Sequence, residues 1–396
     1  MQRKISKTNL MAVLAVYLCV CAPLTAQEKG FAGRVALGSP PVTSLDRVFV
    51  GRADPAQKVT VVEGGGHFPV ACMLKNGELA VVLRGGAPHI GIKGRLDLVT
   101  SQDGGQTWSP PRTVVDSPYD DRNPAFGQLS DGTLVLAYVT VTGGFDETGL
   151  RMKEGAGENI DGVFVIRSTD AGNTWTSPYK IDMAGAHGFS PFGKIIQLAD
   201  GTALMAVYGD IGKLGASESH LYRSRDNGRT WGDPSCIAAG YDETGLVCLP
   251  DGRLLAALRA DKGGHMAMAY SSDKGRTWSE PRLVTRDAEM PGDLIVLRDG
   301  TVVFTFGERE HPCGVHALVS HDGGNSWDEN HLVIVADDAP NWDTGYPSSV
   351  ELKDGKIFTV YYLTGTAYDP NLPTEVLART LLGAKARGVI WRAPGP

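Results

Sequence analysis

Six short stretches of this chain recur at matching places, GHFPVA, DRNPAF, FSPFGK, DETGLV, EMPGDL and GYPSSV, and all but FSPFGK open with groups that exchange protons or hold anions. Between them they supply His67, Asp121, Arg122, Asp242, Glu243, Glu289 and Tyr346. Downstream of each stretch comes a second polar set: Arg84, His89 and Lys93; Asp146 and Glu147; Tyr208 and Asp210; Arg259 and Asp261; Glu308, Arg309 and His311; Tyr361 and Tyr362. Carboxyl, imidazole and phenol groups serve general acid–base chemistry, and a guanidinium fork suits a carboxylate. Such crowding exceeds what a solvated rim needs, provided the fold brings together residues far apart along the chain.

A repeat supplies that fold. Turns centred on Asn-Gly or Asp-Gly sit between apolar stretches in LKNGELAVVL, LSDGTLVLAY, LADGTALMAV, LPDGRLLAAL, LRDGTVVFTF and LKDGKIFTVYY. Their glycines are Gly77, Gly132, Gly201, Gly252, Gly300 and Gly355, separated by 55, 69, 51, 48 and 55 residues. Each pair reads as a tight two-residue hairpin turn, where positive φ angles favour Asn, Asp and Gly. After the first five hairpins comes an eight-residue box: SQDGGQTW, then versions ending at Trp175, Trp231, Trp278 and Trp327. The unit is strand, turn, strand, loop, strand, box, strand. A period near fifty with four strands per unit predicts an all-β, six-bladed β-propeller with four-stranded antiparallel blades.

Within each box the Asp can bond amides of its own turn, the Gly takes unusual dihedrals and the Trp packs between blades. One carboxylate per box is too few for calcium, which makes the boxes structural. The last repeat has no box; it ends in TEVLARTLL and GVIWRA, and DRVFVG (Asp46–Gly51) from the N-terminal side is expected to complete it. With turns and boxes at one end, the polar sets collect at the other.

The start of the chain is basic (Arg3, Lys4, Lys7), then apolar from Leu10 to Leu24, then Thr25-Ala26-Gln27. That pattern is a secretory signal over residues 1–26, so the expected location is periplasmic, extracellular or on the cell surface. Cys19 and Cys21 raise a lipid anchor, but the residues before them fit a lipobox poorly. Residues 27–396 read as a single domain, without linker or low-complexity break. A net charge of −7 and the lack of a basic block argue against nucleic acid as partner, and no later segment is long and apolar enough to span a bilayer. Cys72, Cys236, Cys248 and Cys313 allow three disulfide connectivities, yet their spacing matches neither a dense disulfide framework nor a zinc signature. They are read as mostly buried thiols with room for one bridge, and neither a metal nor a cofactor is expected.

The five boxes, with DETGLVCLPDGRLLAALR and GYPSSVELKDGKIFTVYY, resemble the sialidase superfamily, the six-bladed Asp-box propellers, over roughly Gly66 to Tyr362. The resemblance implies that Tyr346 is a nucleophile, that Glu243 takes its proton and that Arg259 is the second of three arginines clamping a substrate carboxylate, with Asp242 beside it. A neutral phenol suits an anionic sugar, which repels a carboxylate nucleophile. The chain departs from the family where His67-Phe68-Pro69 stands in place of Arg-Ile-Pro, so that Arg122 is left to compensate from a neighbouring direction. For the third arginine Arg309 is near in sequence but out of register. The loop Gly85–Gly94 lacks the family's acidic residue, which leaves His89, then Asp210 or Glu308, as replacement acids. Expected, then, is an exported glycoside hydrolase, exo-acting on a terminal acidic sugar, with an anionic glycan as partner. Two rivals stand beside it: a polysaccharide lyase, with His67 or His89 as base and Tyr346 as acid, and a glycan-binding propeller. The insertion Gly143–Gly162 overhangs the same face as a candidate lid.

Overall fold

The computed structural model describes residues 48–52, 56–153, 157–183, 187–210, 217–328 and 331–395, leaving aside the side chains of 48–52, 187 and 210. The leader over residues 1–26 and the first two residues of DRVFVG lie outside the described residues.

Strands β1 (Val48–Arg52) and β2 (Gln57–Glu63) precede a sheet of β3 (His67–Met73), β4 (Leu79–Gly85), β5 (Arg95–Ser101) and β6 (Arg112–Val115). Next come β7 (Asp120–Gln128), β8 (Leu134–Gly143), β9 (Asn159–Ser168), β10 (Tyr179–Lys180), β11 (His187–Gln197), β12 (Ala203–Asp210), β13 (Glu218–Ser224) and β14 (Gly232–Ala239). These form one eight-stranded sheet, two antiparallel meanders joined through a parallel contact of Gly193 with Ala125 and Lys194 with Phe126. A four-stranded sheet follows, β15 (Tyr241–Cys248), β16 (Leu254–Ala260), β17 (Met266–Ser271) and β18 (Arg282–Leu283). Then β19 (Glu289–Val296), β20 (Val302–Glu308), β21 (Cys313–Ser320) and β22 (His331–Ala339) carry β1 parallel to β22 at their edge. The last sheet contains β23 (Thr344–Glu351), β24 (Ile357–Leu363) and β25 (Lys385–Trp391), with β2 antiparallel to β25. The result is an all-β, propeller-like arrangement of small antiparallel sheets.

Three expectations are corrected here. The last sheet is completed by β2, not by DRVFVG, most of which forms β1 on the preceding sheet. TEVLARTLL belongs to a helix, α1 (Thr374–Gly383), because β25 alone satisfies the outer edge of β24. The hairpin turns are longer than two residues: the Gly77 amide donates to Leu74 O (2.8 Å) and the Leu74 amide to Glu78 O (2.8 Å). Gly77 takes φ +89 while Asn76 stays out of the left-handed region, the pattern of a turn closed by a glycine bulge. The Asn or Asp before the glycine accepts the amide two residues on, from Asn76 Oδ1 to the Glu78 amide (3.0 Å) through to Asp354 Oδ1 and the Lys356 amide (3.1 Å).

The eight-residue boxes share one bonding pattern. In the first, Ser101 Oγ donates to Asp103 Oδ1 (2.8 Å) and accepts the Gly105 amide (2.9 Å), while Asp103 accepts the Thr107 amide (2.9 Å) and hydroxyl (2.5 Å). The versions at Asp170, Asp226, Asp273 and Asp322 repeat it. Trp108 donates to Gly105 O and packs on Phe358 of β24, ring centroids 5.3 Å apart, so it does bridge two sheets. The version at Trp327 differs: its buried indole N–H has no partner among the described residues, and the matching carbonyl, Gly324 O, accepts the Tyr270 hydroxyl instead.

Apolar clusters straddle successive sheets. Val81 and Leu83 pack with Val360 and Phe358 between first and last sheets, and Leu98 and Val82 pack with Phe126 and Leu136 between the next pair. All four cysteines described are free, with Cys313 buried, Cys72 and Cys248 half-buried and Cys236 exposed, so neither the bridge nor the general burial expected for them is present. Among the described residues no helix is long and apolar enough to cross a membrane.

Candidate active site

Every innermost strand carries a register shift near its start: between His67 and Val70 in β3, Arg122 and Ala125 in β7, Tyr241 and Thr244 in β15, and Gly345 and Ser348 in β23. Such bulges bend a strand and re-aim one side chain. Phe68 (φ +53), Asn123 (φ +53) and Tyr346 (φ +50) each sit at the bulge in the left-handed region, a costly conformation for residues with a β-carbon. Together with Glu243, Phe192 and Asp293 they line one pocket.

Tyr346 and Glu243 meet there. The Tyr346 hydroxyl donates to Glu243 Oε1 at 2.7 Å, and Arg259 reaches both: Nη1 to Glu243 Oε2 at 2.5 Å and to the Tyr346 oxygen at 3.5 Å. Asp242 Oδ1 lies 3.8 Å from Arg259 Nε. Burial and the neighbouring Glu243 charge push the Tyr346 phenol well above its ordinary range, so a free phenolate does not form; transfer to Glu243 must accompany reaction. Burial, with the nearby Glu243 charge and against the pull of Arg259, pushes the Asp242 carboxyl up to about 7.

Arg309, out of register in sequence, nevertheless lies over Tyr346. Its guanidinium lies 5.7 Å from the Tyr346 ring centroid, and among the described residues it has no carboxylate partner. Arg122 pairs with Glu158 (2.6 Å) and Asp120 (3.5 Å) and, among the described residues, bonds to neither Tyr346 nor Glu243. Its neighbour Asn123 instead reaches toward the centre, donating to Ser190 Oγ (2.8 Å) and the Tyr208 oxygen (3.2 Å).

The two histidines form a second group against the first. Phe68 joins them, its ring centroid 4.8 Å from Tyr346 and 5.1 Å from His89. His67 is 1% exposed and lies 5.0 Å from the Tyr362 ring; burial, helped by His89 and Arg84 and opposed by Asp343, lowers it to about 3 and keeps it neutral. His89 Nδ1 is 3.0 Å from Asp343 Oδ1, which also accepts the Tyr362 hydroxyl at 2.7 Å. The His89 loop is pinned from below: buried Arg84 donates to Pro88 O (3.0 Å) and Gly91 O (3.3 Å) and pairs with Asp120. Arg84 is therefore structural.

Of the other replacement acids, Glu308 is held in the fifth repeat with Glu289 and His316, its Oε2 3.4 Å from His316 Nδ1. The side chain of Asp210 lies outside the described residues. Asp343, Phe68 and Asn123 were missed. Aligning the stretches on the X-Pro step that all but DETGLV carry exposes Phe68 and Asn123 as equivalents of Tyr346; nothing local marks Asp343. The Gly143–Gly162 insertion does reach the site's rim, since the Ile92 amide donates to Gly149 O (2.8 Å) and Tyr368 Oη to Leu150 O (3.2 Å).

Residues 74–359 match the family model described as a BNR repeat-like domain. A sialidase from Micromonospora viridifaciens is 28% identical over 244 residues, which cover 57% of this chain and 37% of that protein. The chain thus spans well under half the length of that curated relative. Among solved structures, a protein of unknown function from Dyadobacter fermentans superposes with a TM-score of 0.71 at 23% identity, covering 87% of this chain and 99% of its own. A Trypanosoma rangeli sialidase, captured as a covalent intermediate with 2,3-difluorosialic acid, superposes with a TM-score of 0.59 at 14% identity, covering 86% of this chain and 59% of its own. Repeat, fold and family model agree, and the chain belongs to the BNR-repeat family of the sialidase superfamily.

Proposed function

We propose that this chain is an exported, sialidase-type glycoside hydrolase acting on the terminal acidic sugar of a glycan, built as one six-bladed Asp-box propeller behind a signal at residues 1–26. Dividing the eight-stranded sheet at its short β7–β11 contact supports the six-blade count. The 2.7 Å hydrogen bond from Tyr346 to Glu243, with Arg259 against both, carries the functional reading. In the first step Tyr346 Oη bonds to the anomeric carbon and gives its proton to Glu243, while the bond to the leaving oxygen breaks and His89 protonates that oxygen. In the second, water gives a proton to His89 and adds to the anomeric carbon, and Tyr346 leaves and recovers its proton from Glu243. Arg259 and Arg309 hold the substrate carboxylate. Arg122, tied to Glu158 and Asp120, takes no part in that clamp.

Tyr346→Phe and Glu243→Gln test the assignment on sialosides and on uronic-acid glycans. Hydrolysis should fall about 100-fold or more in each, with released sugar saturated. Activity surviving both substitutions rejects the mechanism. An unsaturated uronide absorbing in the ultraviolet identifies a lyase, and tight glycan binding without any product identifies a binding propeller.

A further inference from the structure

We infer that Asp343 is a positioning residue for catalysis: its carboxylate holds the His89 imidazole by Nδ1, leaving Nε2 as the nitrogen that serves the leaving oxygen. The inference rests on the hydrolase reading above. Three donors converge on this one buried carboxylate, whose side chain is 1% exposed. His89 Nδ1 lies 3.0 Å from Oδ1, the Tyr362 hydroxyl donates to the same oxygen at 2.7 Å, and the Tyr368 amide donates to Oδ2 at 3.1 Å. Each donor comes from a different part of the chain: the loop after β4, the end of β24 and the segment before α1. Burial alone pushes a carboxyl up, but here the His89 charge and bond, then His67 and the Tyr362 hydroxyl, outweigh it and hold Asp343 well below the usual carboxylate range.

An ionised group in that place has a specific electrostatic effect. Two guanidinium groups, Arg259 and Arg309, lie against Tyr346, on which Phe68 packs; Arg259 is paired with Glu243, while Arg309 has no carboxylate partner among the described residues and disfavours a further cation. A general acid working beside them as imidazolium needs a compensating negative charge, and Asp343 is the carboxylate in contact with it. The other titratable groups facing the pair are His67, Tyr362, Tyr368 and Arg84. His67 is held neutral by burial, and Arg84 is spent on Asp120 and the loop carbonyls. The loop that carries His89 is fixed at its base by Arg84, so Asp343 sets the ring rather than the loop.

The role separates substrates by leaving group. A 4-nitrophenyl sialoside departs with little protonation; a sialyl galactoside does not. For Asp343→Asn, kcat on the sialyl galactoside should fall about 100-fold or more, kcat on the nitrophenyl sialoside less than about tenfold, and KM should change little on either. In the His89→Gln background the same substitution should cost nothing further, since both act as one unit. Asp343→Glu, which keeps the charge, should recover part of the loss. Equal losses on the two substrates, or additive losses in the double variant, overturn the role. A chain that cleaves neither sialoside sinks the hydrolase reading instead. In that case 15N imidazole shifts still decide the geometry: neutral His89 should carry its proton on Nδ1, and should lose that preference in Asp343→Ala. A proton on Nε2 in the unsubstituted chain overturns the inference.

Discussion

A carboxyl group kept protonated near neutrality beside an arginine is a latent competitor for any anion that arginine binds. Asp242 is such a group: burial pushes it up to about 7, and its Oδ1 is 3.8 Å from Arg259 Nε. As pH rises through about 7 it ionises, the folded state binds one proton fewer, and the new charge opposes an anionic sugar at Arg259. KM for a sialoside should therefore rise about tenfold per pH unit above that point, while kcat keeps its own profile. Asp242→Asn should abolish the rise in KM, and an unchanged pH profile of KM in that variant would sink the account. For stability the unfolded chain ionises first: its Asp242 loses the proton near 4 while the folded one keeps it to about 7, so stability falls between those values and is flat above, and the gain of the variant over the parent should grow from about pH 4 to about pH 7 and then level off. Tyr346, Glu243 and Arg259 could be brought together from the sequence because each lies on or beside an inner strand whose far end is marked by its turn. Asp343 could not be, since its meaning arises only when β23 pairs with β24 and brings it against Tyr362 and the His89 loop.

At the scale of elements, the repeated turns convert side-chain chemistry into sheet geometry. Each box aspartate replaces missing amide partners in a loop that has no ladder to join. Asp103 is mostly exposed, yet the Thr107 hydroxyl and amide, with Ser101 and the Gln106 amide, lower its carboxyl to about 2. A depressed carboxyl contributes stability above its unfolded value near 4 and loses it as pH falls toward about 2. Asp103→Ala should lower the thermal midpoint at pH 7 by roughly 1–3 °C, and the difference should shrink as pH falls from about 4 through about 2. A difference that persists in acid would show that the carboxylate charge is irrelevant to the turn. The turn positions were readable, but their length was not: Gly alone takes the positive φ, and Asn or Asp serves as an acceptor. Reading α1 as the end of a strand had a similar cause. The repeat demands an outer strand there, and TEVLARTLL lies where the template places one, whereas the chain meets the demand from its other end.

Over the whole molecule, each sheet buries one face against the sheet before it and the other against the sheet after, so stability depends on the last sheet being complete where it meets the first. That completion falls to β2, which pairs with β25 from Gln57↔Ile390 to Glu63↔Lys385 and puts Val59, Val61 and Val62 into the cluster shared with Leu79, Val81 and Phe358. Burying three valines contributes about 5 kcal/mol, a large part of the 5–15 kcal/mol by which a typical domain is folded. In contrast, β1 adds a parallel strand to the outer edge of β22 without completing any sheet. Two truncations separate these roles. A chain beginning at Ala56 should keep its thermal midpoint within a few degrees, because every four-stranded meander is retained. One beginning at Gly64 should lose about 10 °C or more, or fail to stay soluble, because β25 becomes an unpaired edge above exposed apolar surface. A synthetic peptide spanning residues 57–63, added in excess, should restore part of the loss by strand addition. Equal midpoints for the two truncations would mean that the last sheet does not need its borrowed strand, and that the inner strands hold Tyr346 beside Glu243 by some other constraint.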